Sequence, residues 1–251
     1  MQLQGSTVIV TGAGSGIGRV LALEFARSGA QVVCCGRRKE LLDETVALVE
    51  NEQGVALAVP TDITQHDQVQ SLVDTTLRRF GTIDILFNNA GSFFSIAGVH
   101  EVEPAIWWQD VTVNLYGSLL MIREVLPHMM ARNEGIIINM QGGRPVGGSG
   151  YACGKAGLTE LTRLMVEELR MADSSVMVFM AGPGLVRTPM SELQANTEAG
   201  RKWIPSTAES LEAGTARAPE EIARATIALI QIAKPEWSGK KYGPDTDFSK
   251  F

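Results

Sequence analysis

Apolar and polar positions follow two alternating patterns along the chain. Short runs rich in β-branched residues, "TVIV" at 7–10, "QVVCC" at 31–35, "VALAVP" at 55–60 and "IDILFNNAG" at 83–91, are each followed by a longer amphipathic segment. These segments run from Arg19 to Ser28, Lys39 to Glu50, Gln68 to Phe80 and Pro104 to Ala131. The pattern continues with "IIIN" (Ile136 to Asn139) and "SVMVFMAG" (Ser175 to Gly182). Between them Leu158, Leu161, Leu164, Met165 and Leu169 predict a helix with one apolar face. Strands alternating with helices predict βαβ units, hence an α/β fold with a doubly wound parallel sheet. Such sheets bind ligands at the carboxyl ends of their strands, where the Gly- and Asn-rich segments of this chain fall. Pro189 to Ala218 breaks the rhythm as a polar, partly helical stretch, the composition expected of a cover over a site.

Composition narrows the picture. A length of 251 residues with 45% hydrophobic content suits a single domain spanning 1–251, and no linker divides it. A net charge of −6 without a basic run argues against a nucleic-acid surface or a polybasic membrane anchor, and for a small-molecule partner. No apolar run reaches the roughly 18 residues of a membrane span, and no charged leader precedes an apolar one. A soluble, cytoplasmic protein is expected. Cys34 and Cys35 are adjacent and Cys153 stands alone, which predicts core thiols rather than disulfides. His66, His100 and His128 lack ligand spacing, so no metal is expected.

The stretch "VTGAGSGIGR" follows the first strand and opens a helix. Gly12, Gly14, Gly16 and Gly18 permit a tight turn that presents backbone N–H groups to a pyrophosphate, although a turn of this composition without a ligand reads the same way. The spacing is Gly-x-x-x-Gly-x-Gly over Gly12, Gly16 and Gly18, because Ile17 stands where the commoner fingerprint has its third glycine.

This variant occurs together with "NNAG" (Asn88 to Gly91), "VNLYG" around Asn114, "YACGK" (Tyr151 to Lys155) and "PGLVRT" (Pro183 to Thr188). Over nearly the whole chain the set resembles the short-chain dehydrogenase/reductase family. The resemblance implies one Rossmann-type domain binding NAD(H) or NADP(H), as a homodimer or homotetramer. It implies cofactor contacts from Gly12, Ser15, Gly16, Ile17, Gly18, Asp62, Ile63, Asn89, Ala90, Gly91, Tyr151, Lys155, Pro183, Val186 and Thr188. Tyr151 is then the general acid/base, Lys155 tunes it and holds a ribose, and Asn114 positions a water.

An acid at the end of the second strand would favour the ribose of NAD; this chain has Gly36, Arg37 and Arg38 there. Two guanidinium forks suit a 2′-phosphate, and in the family a basic residue here goes with NADP(H); solvated arginines that touch nothing are the alternative. Tyr151 and Lys155 are four apart and share a helix face. A free tyrosine titrates near 10, so exchange near neutral pH asks the ammonium to favour the phenolate by about 4 kcal/mol.

The family also places a serine at the end of the strand before this helix. Here Gln141 and Gly142 occupy that place, Gly142 is nine residues from Tyr151 (151 − 142), and no Ser or Thr exists between Ser118 and Ser149. Three readings follow. Ser149 or the Gln141 amide supplies a substituting donor; the site works without one, about 10²–10³ slower; or the chain is a non-catalytic NADP(H)-binding sensor or structural protein. A dehydratase or epimerase is a further alternative. The reading adopted is an NADP(H)-dependent oxidoreductase interconverting a ketone and a secondary alcohol, with Met190, Leu193, Trp203 and Ile204 of the cover giving an apolar contribution to the pocket.

Overall fold

The computed structural model describes residues 1–251. Strands β1 (Thr7–Thr11), β2 (Gln31–Gly36), β3 (Val55–Pro60), β4 (Ile85–Asn88), β5 (Ile136–Met140), β6 (Met177–Ala181) and β7 (Lys241–Tyr242) form one parallel sheet. Its order is β3-β2-β1-β4-β5-β6-β7. Both faces are covered, which is why the central strands read as unbroken apolar runs. Val8, Val10, Val32, Cys34, Ile136 and Ile138 pack on one side; Ile9, Val33, Cys35, Leu86, Ile137 and Val178 pack on the other.

Helices α1 (Gly16–Arg27), α2 (Lys39–Asn51) and α3 (His66–Phe80) alternate with the early strands as expected. The order reverses between β1 and β4, so the glycine turn after β1 and the Asn88 to Gly91 turn after β4 meet at one edge of a crevice. Helix α10 (Pro219–Ile232), whose Ile222, Leu229 and Ile230 are buried, and the two-residue β7 complete the fold. The strand periodicity does not announce them, since β7 is too short to show one.

Three expectations need revision. The stretch from Pro104 to Ala131 is not one continuous α-helix: α4 (Pro104–Val111) passes through a wide π-turn (Thr112–Gly117) into α5 (Ser118–Arg132). The Asn114 amide donates to the Asp110 carbonyl, the acceptor an ordinary turn would give to a backbone N–H, and the ladder widens there. On α6 (Ser149–Met171), Leu158, Met165 and Leu169 are buried as predicted but Leu164 is exposed, because it lies on the edge of the stripe away from the sheet. Cys34 and Cys35 are core thiols, whereas Cys153 is exposed on the outer side of α6.

The segment 189–218 is more regular than its polar composition suggests. It folds as α7 (Pro189–Asn196), α8 (Glu198–Trp203) and α9 (Pro205–Glu212). Thr188 and Thr197 cap the first two by accepting from the Ser191 and Gly200 N–H groups, and proline opens α7 and α9.

Candidate active site

The turn after β1 is tied to the end of β4. Thr11 Oγ1 accepts from the backbone N–H groups of Asn89 (3.0 Å) and Ala90 (2.9 Å), and Asn89 Nδ2 donates to the Thr11 carbonyl at 2.8 Å. Gly12 has φ +69°, and a Cβ there would stand 3.0 Å from Ala90 Cα, so neither conformation nor space admits a side chain. A Cβ on Gly18 would meet Asn89 Nδ2 at 2.6 Å and the Gly12 carbonyl closer still. The result is a bare backbone cradle at the N-terminus of α1, a shape that fits a pyrophosphate.

Around this cradle the structure assembles residues far apart in sequence. Ser15 precedes α1 with its hydroxyl not used as a cap, and Arg38 Nη2 reaches it at 3.5 Å. Arg37 and Arg38 are exposed at the end of β2. Thr188, which caps α7, would touch a side chain on Gly16 at 3.3 Å, so the turn after β6 faces the glycine turn. Val186 is buried and bridges to Arg217, and Pro183 is buried beside it. Asp62 Oδ1 accepts from the backbone and hydroxyl of Thr64, while Ile63 is buried against Gly117.

Tyr151, Lys155 and Asn114 converge at the carboxyl ends of β4 and β5. Lys155 is 4% exposed; its Nζ donates to the Met140 carbonyl at 2.9 Å and lies 5.9 Å from the centre of the Tyr151 ring. Asn114 is fully buried, with Nδ2 donating to the carbonyls of Ser92 (2.7 Å) and Asp110 (2.8 Å), so Oδ1 faces inward without a partner. A Cβ on Gly91 would stand 2.8 Å from that Oδ1 and 3.7 Å from Lys155 Nζ, which places amide and amine around one point. An unpaired buried carbonyl beside a buried amine fits a bridging water.

The electrostatics run opposite to the simplest expectation. Burial, with a contribution from the Asp110 carboxylate, pushes the Tyr151 phenol up to about 12. Burial without an acidic partner pulls the Lys155 ammonium down to about 8. The ammonium donates to a carbonyl instead of favouring a phenolate, so the Tyr151 phenol is held in its protonated form.

Gly142 follows β5 and faces this phenol. A Cβ on it would stand 2.5 Å from Tyr151 Cζ and 2.7 Å from Cε1, with the hydroxyl nearer still. The phenol therefore fills the space a side chain at 142 would need. Gln141 turns to α6, where its Oε1 accepts from Thr159 Oγ1 at 2.6 Å and its Nε2 has no partner. Ser149 Oγ accepts from Trp107 Nε1 at 3.0 Å.

Two residues absent from the motif reading complete the site. The Phe93 ring stacks on Tyr151 with centroids 4.6 Å apart and an angle of 12°. The fully buried Asp110 carboxylate accepts from the backbone N–H groups of Phe94 (2.9 Å) and Ser95 (2.8 Å) and from Ser95 Oγ (2.6 Å). It thus anchors the loop that holds Phe93. The available sequence signal was the spacing of Asp110 and Asn114, four apart and on one helical face.

Comparison with known proteins agrees with this geometry. Residues 6–199 match the family described as short chain dehydrogenase. The chain belongs to that family. The 3-oxoacyl-(acyl-carrier-protein) reductase FabG of Thermotoga maritima is 31% identical over 250 residues, covering 98% of each chain. A crystal structure of an actinorhodin polyketide ketoreductase variant with NADPH superposes with a TM-score of 0.86 at 26% identity, covering 97% of this chain and 96% of that one. A metagenomic short-chain oxidoreductase in complex with NADP gives 0.77 at 28% identity, covering 98% and 100%.

In this short-chain dehydrogenase the segment 189–218 rests on the loops that frame the site. Trp203 fits two glycine notches: a Cβ on Gly98 would stand 2.9 Å from its ring, and one on Gly147 would stand 2.8 Å from its Cγ. Ile204 is buried, whereas Leu193 and Met190 are exposed. Within this segment Trp203 makes the contact with those loops. No helix of the chain is long and apolar enough to cross a membrane, and no group of three or more His, Cys, Asp or Glu residues could hold a metal ion.

Proposed function

We propose that this chain is an NADP(H)-dependent oxidoreductase that interconverts a ketone and a secondary alcohol, with Tyr151 exchanging the proton and no serine assisting it. The observation that carries the reading is the convergence of Tyr151, Lys155 and the inward-facing Asn114 Oδ1 beside Gly91. The bare cradle of Gly12 and Gly18 fits the pyrophosphate. Arg37, Arg38 and Ser15 fit the 2′-phosphate, since no carboxylate stands at the end of β2. Bound there, the cofactor supplies or takes the hydride. Tyr151 donates its proton to the substrate oxygen during reduction, Lys155 holds a ribose, and a water between Asn114 and Lys155 replenishes the proton. The relatives named for ketone reduction and the neighbours solved with NADPH or NADP support the assignment.

The protein is further inferred to be a cytoplasmic homodimer or homotetramer acting on a small carbonyl or alcohol. Trp108, Tyr116, Leu119 and Leu164 leave an apolar surface across α4, the π-turn, α5 and α6, which mutually pack. Calorimetric titration of NADPH and NADH tests the cofactor, and a panel of ketones followed by NADPH absorbance tests the chemistry. Tyr151→Phe should remove nearly all turnover. Tight NADPH binding with no turnover of any ketone would replace the enzyme by a binding protein.

A further inference from the structure

The strand end that carries Gly142 also forms a wall of a second space, a cleft of about 360 Å³ between α6, β6 and β7. On α6 it is lined by Ala152, Ala156 and Thr159, about 80–140° round the helix from Tyr151. Lys155 lies between the two faces. The cleft therefore adjoins the reaction centre but is not the space in front of the Tyr151 ring.

Its chemistry is one-sided. Arg144, Lys155 and Lys241 line it, and no carboxylate does, although the chain as a whole carries a net charge of −6. Some cationic side chains are matched, as Arg217 is by Glu221 and Asp245, and Arg27 by Glu24 and Glu52. Arg144 and Lys241 have no such partner, and both are exposed at the cleft.

The inner wall adds a second observation of a different kind. Gln141 is 7% exposed; its carbonyl is taken by Thr159, and its Nε2 is buried with nothing to donate to. A buried amide donor left unpaired costs about 1–3 kcal/mol, and an acceptor delivered by a ligand removes that cost. An amide N–H, a guanidinium fork and an ammonium that line one cleft without a carboxylate match the oxygens of a carboxylate or phosphate.

We propose that this cleft is an anion-binding site, in which Gln141, Arg144 and Lys241 hold the carboxylate or phosphate group of a small ligand beside the reaction centre. The site does not depend on the oxidoreductase reading, so it is tested on the cofactor-free full-length protein, with inorganic phosphate and succinate as probes at constant ionic strength. Calorimetry or amide chemical shifts should show saturable binding of at least one probe. In Arg144→Gln/Lys241→Gln, two exposed positions whose change leaves the core intact, that binding should weaken by about tenfold or more. NADPH affinity should stay within about twofold, because the double variant leaves the glycine cradle untouched. Gln141→Leu should weaken the same probe. Absence of saturable binding of both probes overturns the proposal. So does equal binding by the double variant, which would place phosphate in the cofactor cradle instead. With binding established, a carboxylate-bearing ketone whose KM alone rises in the double variant identifies the anion as part of the substrate. An unchanged KM identifies a separate anionic ligand.

Discussion

Replacing Gly142 by alanine puts one methyl group where Tyr151 now stands. The new Cβ would lie 2.5 Å from Tyr151 Cζ and 2.7 Å from Cε1, against a normal carbon contact near 3.5–4.0 Å, so the ring must retreat by about 1 Å. The phenol cannot do this freely, because Phe93 stacks on it at 4.6 Å and the Phe93 loop is pinned by Asp110. Overpacking costs about 1–3 kcal/mol and a spoiled aromatic pair about 0.5–1.5 kcal/mol more, together a fall in Tm of roughly 5–15 °C for a chain of this size. The catalytic effect should be larger in proportion, since a displacement of about 1 Å of a proton donor lowers turnover by about 10²-fold. Gly142→Ser carries the same Cβ, so it should also lose activity instead of gaining a useful hydroxyl. The assay is kcat/KM on the best ketone found, with thermal denaturation alongside. A Gly142→Ala protein with unchanged kcat/KM and Tm would refute the placement of the phenol, and an improved Gly142→Ser would show that the strand end can host a donor.

Other outcomes follow from the same contacts. NADPH should bind about ten- to a hundredfold more tightly than NADH, and Arg37→Ala with Arg38→Ala should erase the preference in calorimetric titration. The Lys155 amine titrates near 8 when folded and near 10.5 otherwise, so its contribution to stability is full above 10.5 and is lost as pH falls to 8, by about 3 kcal/mol. Lys155→Met should therefore flatten the stability profile between pH 8 and 10.5 in denaturant titrations while abolishing turnover. Ser149→Ala should cost about 1 kcal/mol of stability through the lost Trp107 bond, measured by urea denaturation, with kcat/KM nearly unchanged because the hydroxyl is engaged by Trp107. Light scattering at micromolar concentration should give a dimer or tetramer, and an aspartate at Trp108, which is 62% exposed, should weaken it.

The sheet was legible because its strands are buried on both faces, which leaves apolar runs too regular to miss. What the pattern hid were elements fixed by neighbours. The two residues of β7 pair only because β6 offers an edge. The π-turn coincides with the bonds of Asn114 Nδ2 to the Asp110 and Ser92 carbonyls, and no period in the sequence marks it. The three short helices over 189–218 are set by caps and prolines, signals of single residues within a stretch whose composition reads as polar.

The site was legible to the extent that its parts are backbone or sit at fixed spacing. Glycines that must lack a Cβ, and a tyrosine and lysine one turn apart, are written in one dimension. The environment that sets their chemistry is not. The sequence leads to an ammonium that lowers the tyrosine, yet Lys155 is drawn to the Met140 carbonyl and itself titrates near 8, while Asp110 and burial raise the phenol. Spacing cannot weigh desolvation against a charge, because it does not say how deep either group lies. The same limit explains Gly142. In the sequence it is a glycine where a hydroxyl is expected; in space it is the gap that the phenol fills, and the short connection from Gly142 to α6 draws Tyr151 toward the strand end. Loop length and the absent side chain are one adjustment, and a serine could return only with a longer loop.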